Sequence, residues 1–386
     1  MKKVLLLGGT GAIGKSLVNY LNTEEMEVYV TTRKNIQDKE NIKYIQGNAH
    51  EIDFLKKILF EHEFDVIVDF MLYSYEELKR KIELFLENTK QYIFISSARV
   101  YSNLDENICE NTKRLLDVCE DKEYLMEEEY ALEKAKEEDL LINNKKNNWT
   151  IVRPYITYND NRFQLGVYEK EEWLYRVLKN KKIAIQKNLL EKITTLTYGG
   201  DVAKYISYLI GNEKTLGEIY QIANNDSKTT WLDVLNIYKR ILNEYGMELR
   251  VEVIDEKYDK ILPINYYQLI YDRYYNRKFN SNKLSTIVES TFMEPEEGLK
   301  KCLNKFIATD INNNVFLEPK FTGIMDKITN EKTDLNEFKT IKDIIKYILA
   351  RYTNFYETRK KLKGIFKYKK CSKFLINKII HYIKNV

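Results

Sequence analysis

With 386 residues, 44% of them hydrophobic, the chain is long enough for one large domain or two to three smaller ones and can bury a real core. Charged residues reach 31% but nearly cancel, leaving +4, so no affinity of the whole protein for polyanions is implied. Cys109, Cys119, Cys302 and Cys371 lack C-x-x-C spacing and the histidines are isolated, which argues against a zinc site or a disulfide framework; no run reaches about 18 uncharged apolar residues and no signal peptide precedes the first strand, so cytoplasm is the expected location.

The chain opens on an apolar run, Val4-Leu5-Leu6-Leu7, which breaks into Gly8-Gly9-Thr10-Gly11-Ala12-Ile13-Gly14 and resumes as Lys15–Leu21 with helical apolar spacing. Strand, glycine turn and helix form the context a dinucleotide site requires. The glycines let backbone N–H groups approach a pyrophosphate, and the helix start offers it unpaired donors. The next β-rich run, Glu27–Thr32, ends in Arg33-Lys34. In a doubly wound sheet this strand end faces the adenosine ribose, where an acid binds a 2′-hydroxyl and a base accepts a 2′-phosphate. Thr32-Arg33-Lys34 contains no acid, which favours NADP while leaving NAD open.

Ile42–Gln46 predicts a third strand that runs into Gly47-Asn48-Ala49, and Asp65–Phe70 a buried parallel strand from its near-continuous apolar run. A helix is expected from Ser74, carrying Glu76 to Glu87. The strand Gln91–Ser97 is followed by a polar stretch, Asn103–Lys122, and then by a helix from about Tyr124 to Ile142. Trp149–Pro154 closes this half. Beyond it come a short strand at Thr194–Tyr198, a strand at Gly217–Ala223, and a helix from Trp231 with Thr230 as its N-cap.

Gly8-x-x-Gly11-x-x-Gly14, Ser96-Ser97-Ala98-Arg99-Val100-Tyr101, the strand ending in Arg153-Pro154, Gly200-Asp201-Val202-Ala203 and Gly217-Glu218-Ile219-Tyr220 together resemble the extended short-chain dehydrogenase/reductases, the NAD-dependent epimerase/dehydratase family. The resemblance covers about residues 1–305. It implies an α/β fold, a doubly wound parallel sheet (Rossmann) with a smaller substrate-facing α/β domain. Residues 1–160, with a return segment at about 191–224, would form the dinucleotide-binding domain. Residues 161–190 and 225–314 would form the substrate domain, and 315–386 a basic helical C-terminal extension. The resemblance further implies NADP or NAD held by Gly8, Thr10, Gly11, Ala12, Ile13, Gly14, Thr32, Arg33, Asn48, Ala49, Phe70, Met71, Tyr130, Lys134, Arg153 and Pro154. Asn48 stands where the family commonly has Asp, and Phe70-Met71-Leu72-Tyr73 where sugar-nucleotide epimerases carry His-x-Ala-Ala, so the chain is similar to atypical members. Relatives often dimerise through the helix bearing a Tyr–Lys pair, which implies a homodimer by analogy.

Tyr-x-x-x-Lys occurs at Tyr75/Lys79, Tyr130/Lys134, Tyr175/Lys179, Tyr274/Lys278 and Tyr356/Lys360. Position selects among them: Tyr130/Lys134 lies between the Ser-Ser strand and the Arg-Pro strand, where the family keeps its catalytic pair. At i, i+4 the two side chains share a helix face. A phenol ordinarily titrates near 10 and is a poor base at neutral pH, but an adjacent ammonium favours its ionised form. The resemblance then makes Tyr130 the group that takes the substrate's hydroxyl proton, with Ser97 bonding the same oxygen and Lys134 also holding the nicotinamide ribose. Where water-eliminating members carry Asp and Glu, this chain has Ala98 and Arg99. A 4,6-dehydratase is disfavoured, and an epimerase or reductase of a nucleotide-activated sugar remains. Arg99 and Arg162 are candidates to meet a substrate diphosphate.

Of the +4 total, residues 357–386 carry +9, so residues 1–356 carry −5. Phe374, Leu375, Lys378, Ile379, Tyr382, Ile383 and Val386 fall on one helical stripe beside the basic run Arg359–Lys373. The expected reading is a docked helical pair with its lysines in water; an anionic membrane surface or RNA phosphates are the alternatives. Asp65–Tyr73 and the following strand also look like atypical relatives that include chloroplast stem-loop RNA-binding proteins. A dinucleotide-binding protein acting on RNA is therefore the second reading beside the enzyme.

Overall fold

The computed structural model describes residues 1–353 apart from 104–106, 226–227, 263 and 310–316. Seven parallel strands make the central sheet: β1 (Lys2–Leu7), β2 (Met26–Thr32), β3 (Ile42–Gln46), β4 (Phe64–Asp69), β5 (Thr89–Ile95), β6 (Trp149–Pro154) and β10 (Glu218–Ile222). Their order is β10-β6-β5-β4-β1-β2-β3, so the chain starts in the middle, winds one way to β3, then returns beyond β1 to wind the other way. This is the doubly wound arrangement that the sequence predicts. Val4 lies opposite both Val28 and Val66, which fixes the register at the centre.

Burial on both faces explains the apolar runs. Val4 and Leu6 join Val28, Val30 and Val68 in one core, covered by the helices Ala12–Leu21 and Gly199–Leu209. Leu5 and Leu7 join Tyr29, Ile67 and Phe94 in the core on the other face. The crevice above the strand ends lies between β1 and β4, where the winding reverses.

A second lobe carries the other strands. β8 (Ile183–Gln186) pairs in parallel with β11 (Val251–Ile254), and the two-residue strands β7 (Thr157–Tyr158) and β9 (Thr197–Tyr198) pair at its base. The helix Trp231–Glu244 packs there, and Thr230 caps it by accepting from Asp233 N while the Asp233 carboxylate returns a bond to Thr230 N. The helices Pro319–Ile328 and Ile341–Tyr352 pack against each other. They are held to the second lobe by Asp326. This buried carboxylate meets Arg176 Nη1 at 2.8 Å, Lys181 Nζ at 3.2 Å, Thr333 Oγ1 at 2.7 Å and Tyr347 OH at 3.0 Å.

Two expected helices are interrupted. The segment after Ser74 forms Tyr75–Lys79 and Ile82–Glu87, and the segment from 124 forms Lys122–Leu125 and then Tyr130–Ile142. The second break is made by Glu129, whose carboxylate accepts from Ala131 N at 2.7 Å and starts a new helix there. The polar stretch before it is tied into the fold. Ile108 is buried and bridges in parallel to Phe279 of the second lobe, and Tyr101 bridges to Arg114. The basic stripe at 357–386 lies outside the described residues. Among those described, no helix is long and apolar enough to cross a membrane, and no group of acidic, histidine or cysteine side chains is arranged to hold a metal.

Candidate functional site

The glycine turn is shaped by close approach. Gly8 has φ of +69°, and its N–H is held by Thr31 Oγ1 at 3.0 Å. A Cβ on Gly14 would stand 2.5 Å from the Gly9 carbonyl oxygen, so the helix can start against the turn only if that position is bare. The helix has Gly11 as N-cap with no side-chain cap, which leaves its first N–H groups directed to the crevice. A Cβ on Gly11 would meet nothing nearer than the Gly8 oxygen at 3.6 Å. An open cradle with uncapped donors fits a pyrophosphate.

Two cavities flank this turn. One, of about 550 Å³, is lined by Thr10, Lys15, Thr32, Arg33, Lys34 and Tyr44; its charged lining residues are all basic. The other, of about 510 Å³, begins at Gly8, Gly11, Ala12, Ile13 and Gly14 and continues past Phe70 and Pro154 to Ser97, Arg99 and Tyr130. Its far wall comes from the second lobe, through Arg162, Gln164, Glu169, Gln268 and Arg273. The cofactor turn, Ser97 and Tyr130 therefore share one cleft. Ser97 lies just beyond β5, its hydroxyl accepting from Arg99 N at 3.2 Å, and Tyr130 opens its helix.

Other expected contacts are turned elsewhere. Lys134 is buried behind Tyr130, with its ammonium 2.8 Å from Glu137 Oε2 and 4.5 Å from the centre of the Phe94 ring; it does not line the cleft. Arg153 is buried in a two-point contact with Glu138, at 2.8 Å and 2.7 Å, and stacks over Tyr101. Asn48 accepts from His50 N and donates to Glu51, so its side chain serves the local turn. Ala49 is buried in the core, and Met71 packs its sulfur against Gly8. Arg162 is exposed and bonded to Glu169 at 3.1 Å.

Two buried carboxylates surround Lys134. Burial pushes Glu137 up to about 7 against the pull of Lys134, and leaves its Oε1 without a hydrogen-bond partner. Burial likewise pushes Asp69, at the end of β4, up to about 6, although Met71 N and the Tyr92 hydroxyl both donate to it. Across the cleft, Asp272 is also buried. Burial opposes its ionisation, but Arg273, Arg277 and Arg99 outweigh that and hold it below the usual carboxylate range. Arg273, Asp272, Gln164 and Glu129 are not evident from the sequence, since no motif marks them. The local signal is structural: Leu269–Arg273 forms a widened π-helical turn, a feature frequent at functional sites.

A doubly wound sheet with an open glycine cradle at its switch point, continuous with a Ser/Tyr-lined cleft, defines a dinucleotide-binding fold with a second lobe over the cleft. The chain belongs to the NAD dependent epimerase/dehydratase family, whose model matches residues 4–223. It is 30% identical over 238 residues to the chloroplast stem-loop binding protein of 41 kDa b of Arabidopsis thaliana; the match spans 58% of each protein. Among solved structures it resembles dTDP-glucose 4,6-dehydratase of Bacillus anthracis in complex with NAD (TM-score 0.60, 17% identity, 80% of this chain and 98% of that one). UDP-glucuronic acid 4-epimerase of Bacillus cereus in complex with NAD is similar to the same degree (TM-score 0.59, 15% identity, 79% and 98%). At these identities the likeness is one of fold.

Proposed function

We propose that this protein is an NAD(P)-dependent epimerase or reductase of a nucleotide-activated sugar. The observation that carries the reading is that Ser97 and Tyr130 line the same cleft as the glycine turn. A bound nicotinamide supplies the hydride acceptor or donor. Tyr130 moves the proton at the reacting oxygen, and Ser97 bonds that oxygen. Lys134 stands one helical turn from Tyr130 and contributes positive charge from behind it, shared with Glu137. Ala98 and Arg99 bring no carboxyl to the positions that a water elimination needs, so epimerisation or reduction is preferred. The wholly basic charge around Thr32, Arg33 and Lys34 favours a 2′-phosphate, hence NADP, with NAD as the alternative.

Calorimetric titration of cofactor-free protein with NAD⁺, NADH, NADP⁺ and NADPH tests this. Micromolar binding of a phosphorylated form, weakened at least about tenfold by Arg33→Ala, is expected, about 1.4 kcal/mol. Binding of none of the four would overturn the reading. The similarity to a stem-loop binding protein favours one second reading, in which the same fold binds RNA. Tyr130→Phe separates the two, since it removes turnover and leaves RNA binding intact.

A further inference from the structure

A buried ion pair lies beneath the end of the cleft that holds Ser97 and Tyr130. Phe70 and Ile95 line the cleft, and the residues immediately before them, Asp69 and Phe94, stand beside Lys134. Among the described residues Lys134 makes one ion pair, with Glu137 at 2.8 Å. Both side chains are shut off from solvent, and among the same residues Glu137 Oε1 finds no hydrogen-bond partner. A carboxylate held by one contact in so dry a place sits close to the balance between its charged and its neutral form.

The groups facing Glu137 set that balance. Lys134 and Glu133 come from its own helix, Asp69 from β4, Tyr73 from the segment after β4 and Tyr92 from β5. Lys134 favours the carboxylate, whereas Asp69 and Glu133 oppose it. The neighbouring elements engage their charges elsewhere: Glu77 with His50 and Lys81, Arg99 with Glu129, and Asp117 with Arg114. Burial outweighs the pull of Lys134 and pushes Glu137 up to about 7, so both forms are populated at neutral pH. Protonation makes the floor of the cleft one charge more positive, whatever the state of Asp69.

The oxidised and reduced forms of a nicotinamide dinucleotide also differ by one charge. It lies on the ring, which is cationic when oxidised and neutral when reduced. Resting on the proposed function, which brings that ring to Ser97 and Tyr130, we infer that Glu137 is a positioning residue that acts through Lys134 to set the preference between oxidised and reduced cofactor. The ionised carboxylate cancels Lys134 and favours the cationic ring. The protonated one leaves Lys134 facing the ring and favours the neutral form. The preference therefore moves toward the oxidised cofactor as the pH rises through neutrality.

The test uses Tyr130→Phe protein, in which no phenol titrates at the site. Its affinities for the oxidised and reduced forms of NAD and NADP are measured calorimetrically at pH 6.5 and 8.5. Pyrophosphate and any 2′-phosphate are common to each pair and cancel in the ratio. The Kd of the oxidised form divided by that of the reduced form should fall about fivefold or more between the two pH values. Adding Glu137→Gln should hold the ratio within about twofold of its value at pH 6.5. Glu137→Met, similar in volume and also uncharged, should do the same and serves if the Gln variant does not fold. A ratio that does not change with pH while Glu137 is present would overturn the inference, as would a pH dependence that persists without it. Failure of both forms of both cofactors to bind would overturn the function reading, and this inference with it.

Discussion

Tyr130 sits at the first turn of its helix, half-buried, with Arg99 over its ring and Ser97 in the same cleft. Replacing its hydroxyl with hydrogen removes the proton-transfer group and little else. Tyr130→Phe should lower turnover by about 10²–10⁴-fold, the usual worth of a positioned acid or base, and leave cofactor affinity within twofold. Unchanged turnover would remove Tyr130 from the mechanism. Behind it, Glu137 and Asp69 retain protons in the folded protein that they lose in the unfolded one, across roughly pH 4 to 7. Their contribution to stability is complete below that window and is lost as the pH rises through it. These two groups should therefore lower stability between about pH 4 and 7. Glu137→Gln should reduce that loss by up to about 3 kcal/mol, since each tenfold change in proton affinity is worth about 1.4 kcal/mol. Urea unfolding of both proteins at several pH values checks this, and an equal loss in the two would refute it.

At the scale of elements, the glycine turn divides positions that the fold needs from those the ligand needs. Gly14 is in a helix, where alanine would ordinarily gain about 1 kcal/mol in propensity. Its Cβ would instead meet three backbone atoms of Gly9 at 2.5–2.7 Å, an overlap worth about 1–3 kcal/mol in the other direction. Gly14→Ala should lower the unfolding midpoint. Gly11 has ordinary backbone angles and open space, so Gly11→Ala should leave the midpoint unchanged and weaken dinucleotide binding at least about tenfold. Equal effects of the two on stability would contradict this division. The strands and this turn were legible because their residues are fixed locally, by burial on both faces and by glycine geometry. The break before Tyr130 was not legible. Glu129 starts the helix at Tyr130 while its carboxylate also meets the Tyr124 hydroxyl nearby and Arg99 and Asn265 from remote parts of the chain. The same holds for Lys134: its i, i+4 spacing from Tyr130 could be read, but the pull of Glu137 one turn further on could not. Arg273 and Asp272 approach the cleft through tertiary packing that carries no sequence period.

For the whole molecule, the question is how the C-terminal helices are joined to a site they do not line. Their anchor is Asp326, which gathers Arg176, Lys181, Thr333 and Tyr347 and is buried along with Arg176. Burial alone would favour the neutral acid, yet Arg176, Thr333 and Lys181 hold Asp326 below the ordinary carboxylate range. The contact is therefore an ionised one at neutral pH, and it weakens in acid as the carboxylate is protonated. Asp326→Ala leaves the Arg176 guanidinium buried with Glu331 beside it, and removes the one carboxylate that Lys181 contacts among the described residues. Breaking one side of such a network costs about 3–5 kcal/mol, far more than the net worth of the intact pair. The glycine turn and Arg33 belong to the other lobe, with a core of their own. Asp326→Ala should therefore lower the unfolding midpoint steeply while dinucleotide affinity at about 10 °C, measured calorimetrically, stays within twofold of wild type. A parallel loss of affinity would mean that the two lobes and the terminal helices respond as one unit, and that the extension helps to shape the cleft as well as to stabilise the lobe beneath it.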